Sequence, residues 1–126
     1  MTTQLQGESV GKRLEGAFPE AVTSWGEFDV RVQPGAIADI CRYLKNTPDF
    51  HMDYLSSITG VDYVEFFEVV YHLTSLAHNH NLVLKTTLYG RDHVELPSVI
   101  NVWKGADLQE REVWDLMGIG FTGHPN

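Results

Sequence analysis

The chain has 126 residues, with 17 acids against 9 bases and a formal charge of −8 at pH 7. That length suits one domain, and that charge repels phosphate, which excludes nucleic acid and anionic membrane surfaces as partners. A single cysteine, Cys41, excludes an internal disulfide and a cysteine-built metal or iron–sulfur site. The longest apolar run, residues 116–121, is too short to span a bilayer, and residues 1–7 lack the pattern of a secretory signal. The expectation is a single cytoplasmic domain over residues 1–126, with residues 1–9 flexible.

Val10, Leu14 and Phe18 recur every four residues, which predicts a short amphipathic helix ended by Pro19. Phe28, Val30 and Val32 alternate with Asp29 and Arg31, the pattern of a half-buried strand, and Trp25-Gly26-Glu27 turns into it from a separate short strand. Pro34 opens the next helix, where its missing N–H costs nothing. Ile37, Ile40, Cys41 and Leu44 give that helix one apolar face, and Pro48 stops it. Residues 52–61 predict a strand that brings Leu55 and Ile58 to the core, with a bend at Gly60. Residues 67–73 and 82–88 alternate more clearly and carry apolar positions on both faces, so they belong at the centre of a sheet covered on two sides. The polar connector at 77–81 makes them a hairpin. After Pro97, the residues Val99, Ile100, Val102 and Trp103 have helical spacing. Asp107 and Glu110 stand three apart, a capping-box spacing that opens a helix over residues 108–117, and Gly118 closes it. This order predicts an α+β fold, a two-layer α/β sandwich whose largely antiparallel sheet is covered by helices.

Six histidines invite a metal reading. His78 and His80, two apart in the hairpin connector, could share an ion on one side of a strand, but no third ligand is visible, and a solvated turn is the competing reading. His72 lies mid-strand, where a packed or hydrogen-bonded ring is expected. Cys41 lies on an apolar helical face with no neighbouring cation, which predicts a buried, unreactive thiol. The chain has no nucleophile elbow, no phosphate-binding glycine loop and no zinc-protease motif. Asp53 and Asp62 have no spacing that pairs them as catalytic carboxylates.

Residues 110–125 are different. Glu110, Arg111, Glu112 and Asp115 sit among Val113, Trp114, Leu116 and Met117. Arg111 and Asp115 are i, i+4 neighbours able to pair. The remaining charges leave the helix on other sides, while the large apolar residues also need cover. An ordinary amphipathic helix with a glycine cap is one reading. The other is a helix wedged between its own sheet and a partner protein, with its charges paired across the interface.

The run Glu110-Arg111-Glu112, Asp115-Leu116, Gly118-Ile119, Phe121 and Gly123-His124-Pro125 resembles the signature of the C subunit, or 30-kDa subunit, of respiratory complex I, the NADH:quinone oxidoreductase. Residues 55–63, 67–73 and 97–99 resemble the family's preceding segments, so the likeness covers roughly residues 50–125. Two departures stand out. The family's usual Asn-Trp before Glu-Arg-Glu is here Asp107 and Leu108, and its Arg-containing tail is lacking up to Asn126, as in the short small subunit of the related energy-converting [NiFe] hydrogenases. The resemblance implies a non-catalytic role with no cofactor or metal bound by this chain. It also implies a place on the cytoplasmic peripheral arm, against the hydrogenase-related large (49-kDa-type) subunit and its neighbours, with membrane association only through the complex. On the same ground Glu110, Arg111, Glu112, Asp115 and His124 are expected as contact or motif-fixing residues. Trp114 and Phe121 are expected as apolar anchors, Gly118 and Gly123 as the residues that permit the backbone path, and Pro125 as a further signature residue of the partner interface.

Overall fold

The computed structural model describes residues 2–90 and 92–125. Their order is β1 (Thr3–Gln4), α1 (Gly7–Ala17), β2 (Val22–Trp25), β3 (Asp29–Val32), a 3-10 turn (Pro34–Ala36), α2 (Ile37–Asn46), β4 (Tyr54–Asp62), β5 (Phe66–Ser75), β6 (His80–Tyr89), β7 (Glu95–Pro97), α3 (Ala106–Met117) and β8 (Gly120–Thr122). The main sheet runs β2-β3-β6-β5-β4, and β1 pairs with β6 as well. The β2–β3, β4–β5 and β5–β6 pairs are antiparallel, whereas β6 takes β3 and β1 in parallel. The architecture is the α+β sandwich that the order of elements predicts, with β7 and β8 forming a separate two-stranded parallel sheet.

Periodicity accounts for the central elements. On α2 the four residues of the apolar face, Ile37, Ile40, Cys41 and Leu44, are all fully buried. On β5 the alternate residues Phe67, Val69, Tyr71 and Leu73 join them, and Leu82 and Leu84 do so from β6. The opposite face differs from the expectation of two covered sides. Among the described residues, Val70 alone of the buried hydrophobic ones lies outside the core cluster. It shares its face with Glu68, whose carboxylate accepts a hydrogen bond from Arg31 Nη2 at 2.8 Å, while Arg31 Nη1 donates to Thr87 at 2.7 Å. Long side chains laid along the sheet thus cover its middle. His72, further along the same face, is exposed rather than packed.

Four local expectations are corrected. The start of the chain is organised from Thr3, which pairs with His80, and α1 begins at Gly7. The cause is two glycines one turn apart. A Cβ on Gly7 would strike the carbonyl oxygens of Gly26 and Asp29, and one on Gly11 would strike the Trp25 ring, so α1 lies directly on the β2–β3 turn. Gly60 is not a bend. It lies inside β4, where Met117 and Val113 of α3 pack over its bare backbone. Residues 98–105 form turns rather than a helix, closed by hydrogen bonds from Val102 and Trp103 N–H to the Val99 carbonyl. They are pinned to the core by Lys45 Nζ on the Val102 carbonyl (2.7 Å) and Trp103 Nε1 on the Met52 carbonyl (3.0 Å). The capping box is absent: the residue before α3 is Gly105, which has no side chain to cap the helix.

Gly7→Ala is expected to destabilise the fold by about 1–3 kcal/mol, because backbone rather than side chain must yield. Gly16→Ala, on the exposed side of α1 with nothing within reach of a new Cβ, is expected to stabilise it by about 0.5–1 kcal/mol. Urea midpoints of the two variants against the parent measure both signs.

Candidate functional site

The signature residues gather where α3, β8 and the closing turn meet. Glu110, one turn into α3, is only 1 % exposed. Its two oxygens accept hydrogen bonds from Ser98 Oγ at 2.5 Å and from the Val99 N–H at 2.8 Å. Ser98 Oγ in turn accepts from the Ile100 N–H. A helix residue thus satisfies a turn twelve positions upstream, in place of the expected cap on its own helix. Burial raises the Glu110 pKa above its ordinary value of 4.5, and the Ser98 and Val99 hydrogen bonds and the charge of His124 oppose that rise.

Asp107 is the second organising group. Its Oδ1 lies 3.1 Å from Arg111 Nη2 and 2.9 Å from His124 Nε2. His124 Nε2 also lies 3.3 Å from the Asp107 carbonyl, so a nitrogen facing two oxygens is the protonated, donating one. The His124 side chain is 7 % exposed. Arg111 therefore pairs backward with Asp107, not forward with Asp115. Two glycines supply the path that brings His124 back to the helix. Gly118 ends α3 at φ 74° and Gly123 turns the chain at φ 88°, both in the left-handed region. The His124 N–H then closes on the Phe121 carbonyl at 3.2 Å.

Between α3 and β8 these residues leave a cleft of about 220 Å³. Five signature residues line it: Glu110, Arg111, Trp114, Phe121 and His124, together with Glu95, Gly120 and Thr122. Trp114 is 53 % exposed, a large ring on the cleft wall open to solvent. Arg111 Nε is buried and has no hydrogen-bond partner among the described residues. An unmet buried donor of this kind costs about 1–3 kcal/mol. The other signature residues stand outside the cleft. Glu112 and Asp115 are exposed on the outer side of α3 and form no ion pair among the described residues, and Leu116 beside them is 81 % exposed. Pro125 is exposed past the turn.

The remaining candidates have local duties. His78 and His80 donate through Nε2 to the carbonyls of Pro48 (2.7 Å) and Phe50 (2.9 Å), which ties the β5–β6 turn to the end of the α2 segment. Among the described residues no group of three or more His, Cys, Asp and Glu could hold a metal ion. Cys41 is buried, and burial pushes its thiol well above the ordinary range. Asp53 accepts from the Leu76 N–H and Asp62 from the Val64 N–H, so they serve separate turns. Ser98 and Asp107 are the site residues that sequence reasoning missed as partners. The segment Pro97-Ser98-Val99 was recognisable, but its link to Glu110 is tertiary.

A signature concentrated around one surface cleft of an α+β domain sets the class, and comparison with known proteins narrows it. Residues 30–126 match the family described as respiratory-chain NADH dehydrogenase, 30 Kd subunit. The chain belongs to that family. It is 40% identical over 128 residues to the C subunit of the NADH-quinone oxidoreductase of Roseiflexus castenholzii (strain DSM 13941 / HLO8), covering 96% of this chain and 73% of the relative. It is 40% identical over 114 residues to the second of the numbered C subunits of the NADH-quinone oxidoreductase of Rhizobium meliloti (strain 1021), covering 88% and 62%. Among solved structures it resembles a chain of the membrane-bound sulfane sulfur reductase, an archaeal respiratory membrane complex. The TM-score is 0.73 at 27% identity, over 93% of this chain and 71% of that one. No helix among the described residues is long and apolar enough to cross a membrane.

With a raised folded pKa, Glu110 favours folding while protonated. Its contribution is full below the ordinary value of 4.5 and falls as pH rises through the raised folded value. Glu110→Gln keeps an acceptor for Val99 and a group for Ser98 without the charge, and is expected to remove that decline. Urea midpoints across roughly pH 4 to 7 measure it; a variant with the parent's slope contradicts the assignment.

Proposed function

We propose that the chain is a non-catalytic structural subunit of the peripheral arm of a membrane-bound NADH:quinone oxidoreductase, packing against the hydrogenase-related large subunit of 49-kDa type. On this reading it carries no redox centre of its own and meets the membrane only through its partners, on the cytoplasmic side. The observation that carries the reading is the cleft. The family's signature residues hold one another in place around an open cleft beside an exposed Trp114, which is how an interaction surface is built. Family membership and the likeness to a chain of a respiratory membrane complex support a place in such an assembly.

A second reading is the equivalent small subunit of a related energy-converting complex, such as a membrane-bound [NiFe] hydrogenase. The likeness to a chain of the sulfane sulfur reductase, a membrane-bound respiratory complex, supports a place in a related complex of this kind.

Affinity purification of the tagged chain from membranes of its source, with mass spectrometry of what accompanies it, tests both. Recovery of a large quinone-reactive subunit together with NADH-oxidising subunits is the expected result. A nickel-bearing large subunit without them favours the second reading, and no large subunit at all overturns both. Metal analysis and the visible spectrum of the purified chain are expected to show neither bound metal nor flavin.

A further inference from the structure

We propose that the outward stripe of α3, formed by Leu108, Glu112, Asp115 and Leu116, docks in an apolar groove of a different protein chain that presents lysine or arginine to the two acids. The inference rests on the assembly role above and adds the chemistry of the surface that meets this helix. At 3.6 residues per turn the four side chains fall within an arc of about 100° and span about 12 Å along the axis. Leu108 is 68 % exposed and Leu116 is 81 % exposed. Glu112 and Asp115 are exposed too, with no ion pair among the described residues.

The helix cannot roll to cover these residues itself, because contacts on its other side hold it. Glu110 is fastened to Ser98 and Val99. Gln109 Oε1 accepts the N–H of Ile58, on β4, at 2.5 Å. Val113 and Met117 pack over the bare backbone of Gly60. The chain's own core therefore takes the inward side of α3, and the outward stripe is left apolar at both ends and acidic between. Positions i, i+4, i+7 and i+8 are the set with which a helix anchors in a groove of a second molecule.

Charge selects the occupant. A purely apolar groove would bury two carboxylates without partners, which is costly. An anionic lipid surface would set its headgroups against Glu112 and Asp115. Two copies of this chain docked stripe on stripe about a twofold axis would bring each copy's acids against the other's. A protein surface with basic residues inside an apolar rim meets none of these conflicts. It pairs both carboxylates and covers both leucines at once, and water excluded by the leucines screens the ion pairs less.

The test uses the full chain in its membrane complex. Photo-reactive benzoylphenylalanine replaces Leu116, and the cross-linked peptide is mapped by mass spectrometry. A peptide of another subunit with lysine or arginine beside the cross-link is expected. In parallel, Glu112→Lys combined with Asp115→Lys reverses both charges. It is expected to lower co-purification of that subunit by about tenfold or more. The urea midpoint of the chain alone is not expected to fall, because cations near a helix C-terminus are favourable. Changing the basic residues of the cross-linked peptide to glutamate is expected to restore co-purification of the charge-reversed chain. A cross-link to lipid, to a second copy or to a peptide without a basic residue overturns the proposal, as does no cross-link or undiminished co-purification of the charge-reversed chain. The unmodified chain, purified alongside, separates the two claims: where it recovers the large subunit, these results refute the docking stripe and leave the assembly role standing.

Discussion

A buried carboxylate organises the C-terminal third of the molecule. Glu110 takes the Ser98 hydroxyl and the Val99 N–H, and through them fixes the angle at which the turn after β7 meets α3. β8 pairs with β7, so the cleft wall inherits that angle. Burying a carboxylate is costly unless its oxygens are hydrogen-bonded, and here each is. The same arrangement explains why a glutamate sits on the inward side of a helix whose other buried residues are Ala106 and Val113.

The unsegregated charge of α3 has a physical account in two parts. Asp107 gathers Arg111 and His124, so three ionisable side chains act within the chain and hold the final turn on the helix. Glu112 and Asp115 point outward beside Leu116 and Trp114, with no counter-charge among the described residues. Exposed charges of this sort contribute little to folding by themselves. The internal set gains from geometry instead: one carboxylate serves two donors, and two glycines with positive φ allow the chain to return.

Much of the fold was legible because the central elements obey simple periods. The α2 face of Ile37, Ile40, Cys41 and Leu44 and the alternation of β5 and β6 follow from spacing alone, and their burial matches it. Expectations failed where tertiary contact overrides local pattern. Residues 1–9 were expected to be flexible, yet the missing side chains of Gly7 and Gly11 let α1 rest on Trp25 and the β2–β3 turn. Gly60 suggested a bend and instead admits Met117. Of the site, the membership of Arg111, Trp114, Phe121 and His124 was readable from the signature. Their pairing was not: i, i+4 spacing allows Arg111 to reach Asp107 or Asp115, and His124 beside Asp107 decides between them. The contacts of His78 and His80 were likewise not legible from their spacing, since both rings bond backbone carbonyls brought in from residues 48 and 50.

The dependence of the cleft on Glu110 is open to direct measurement by native-state amide exchange in Glu110→Ala. The Val99 amide should lose its protection and residues 118–124 should exchange faster, while the amides of β5 and β6 keep theirs. Unchanged protection at Val99 and across 118–124, or an equal loss throughout the main sheet, would contradict the role given to this carboxylate.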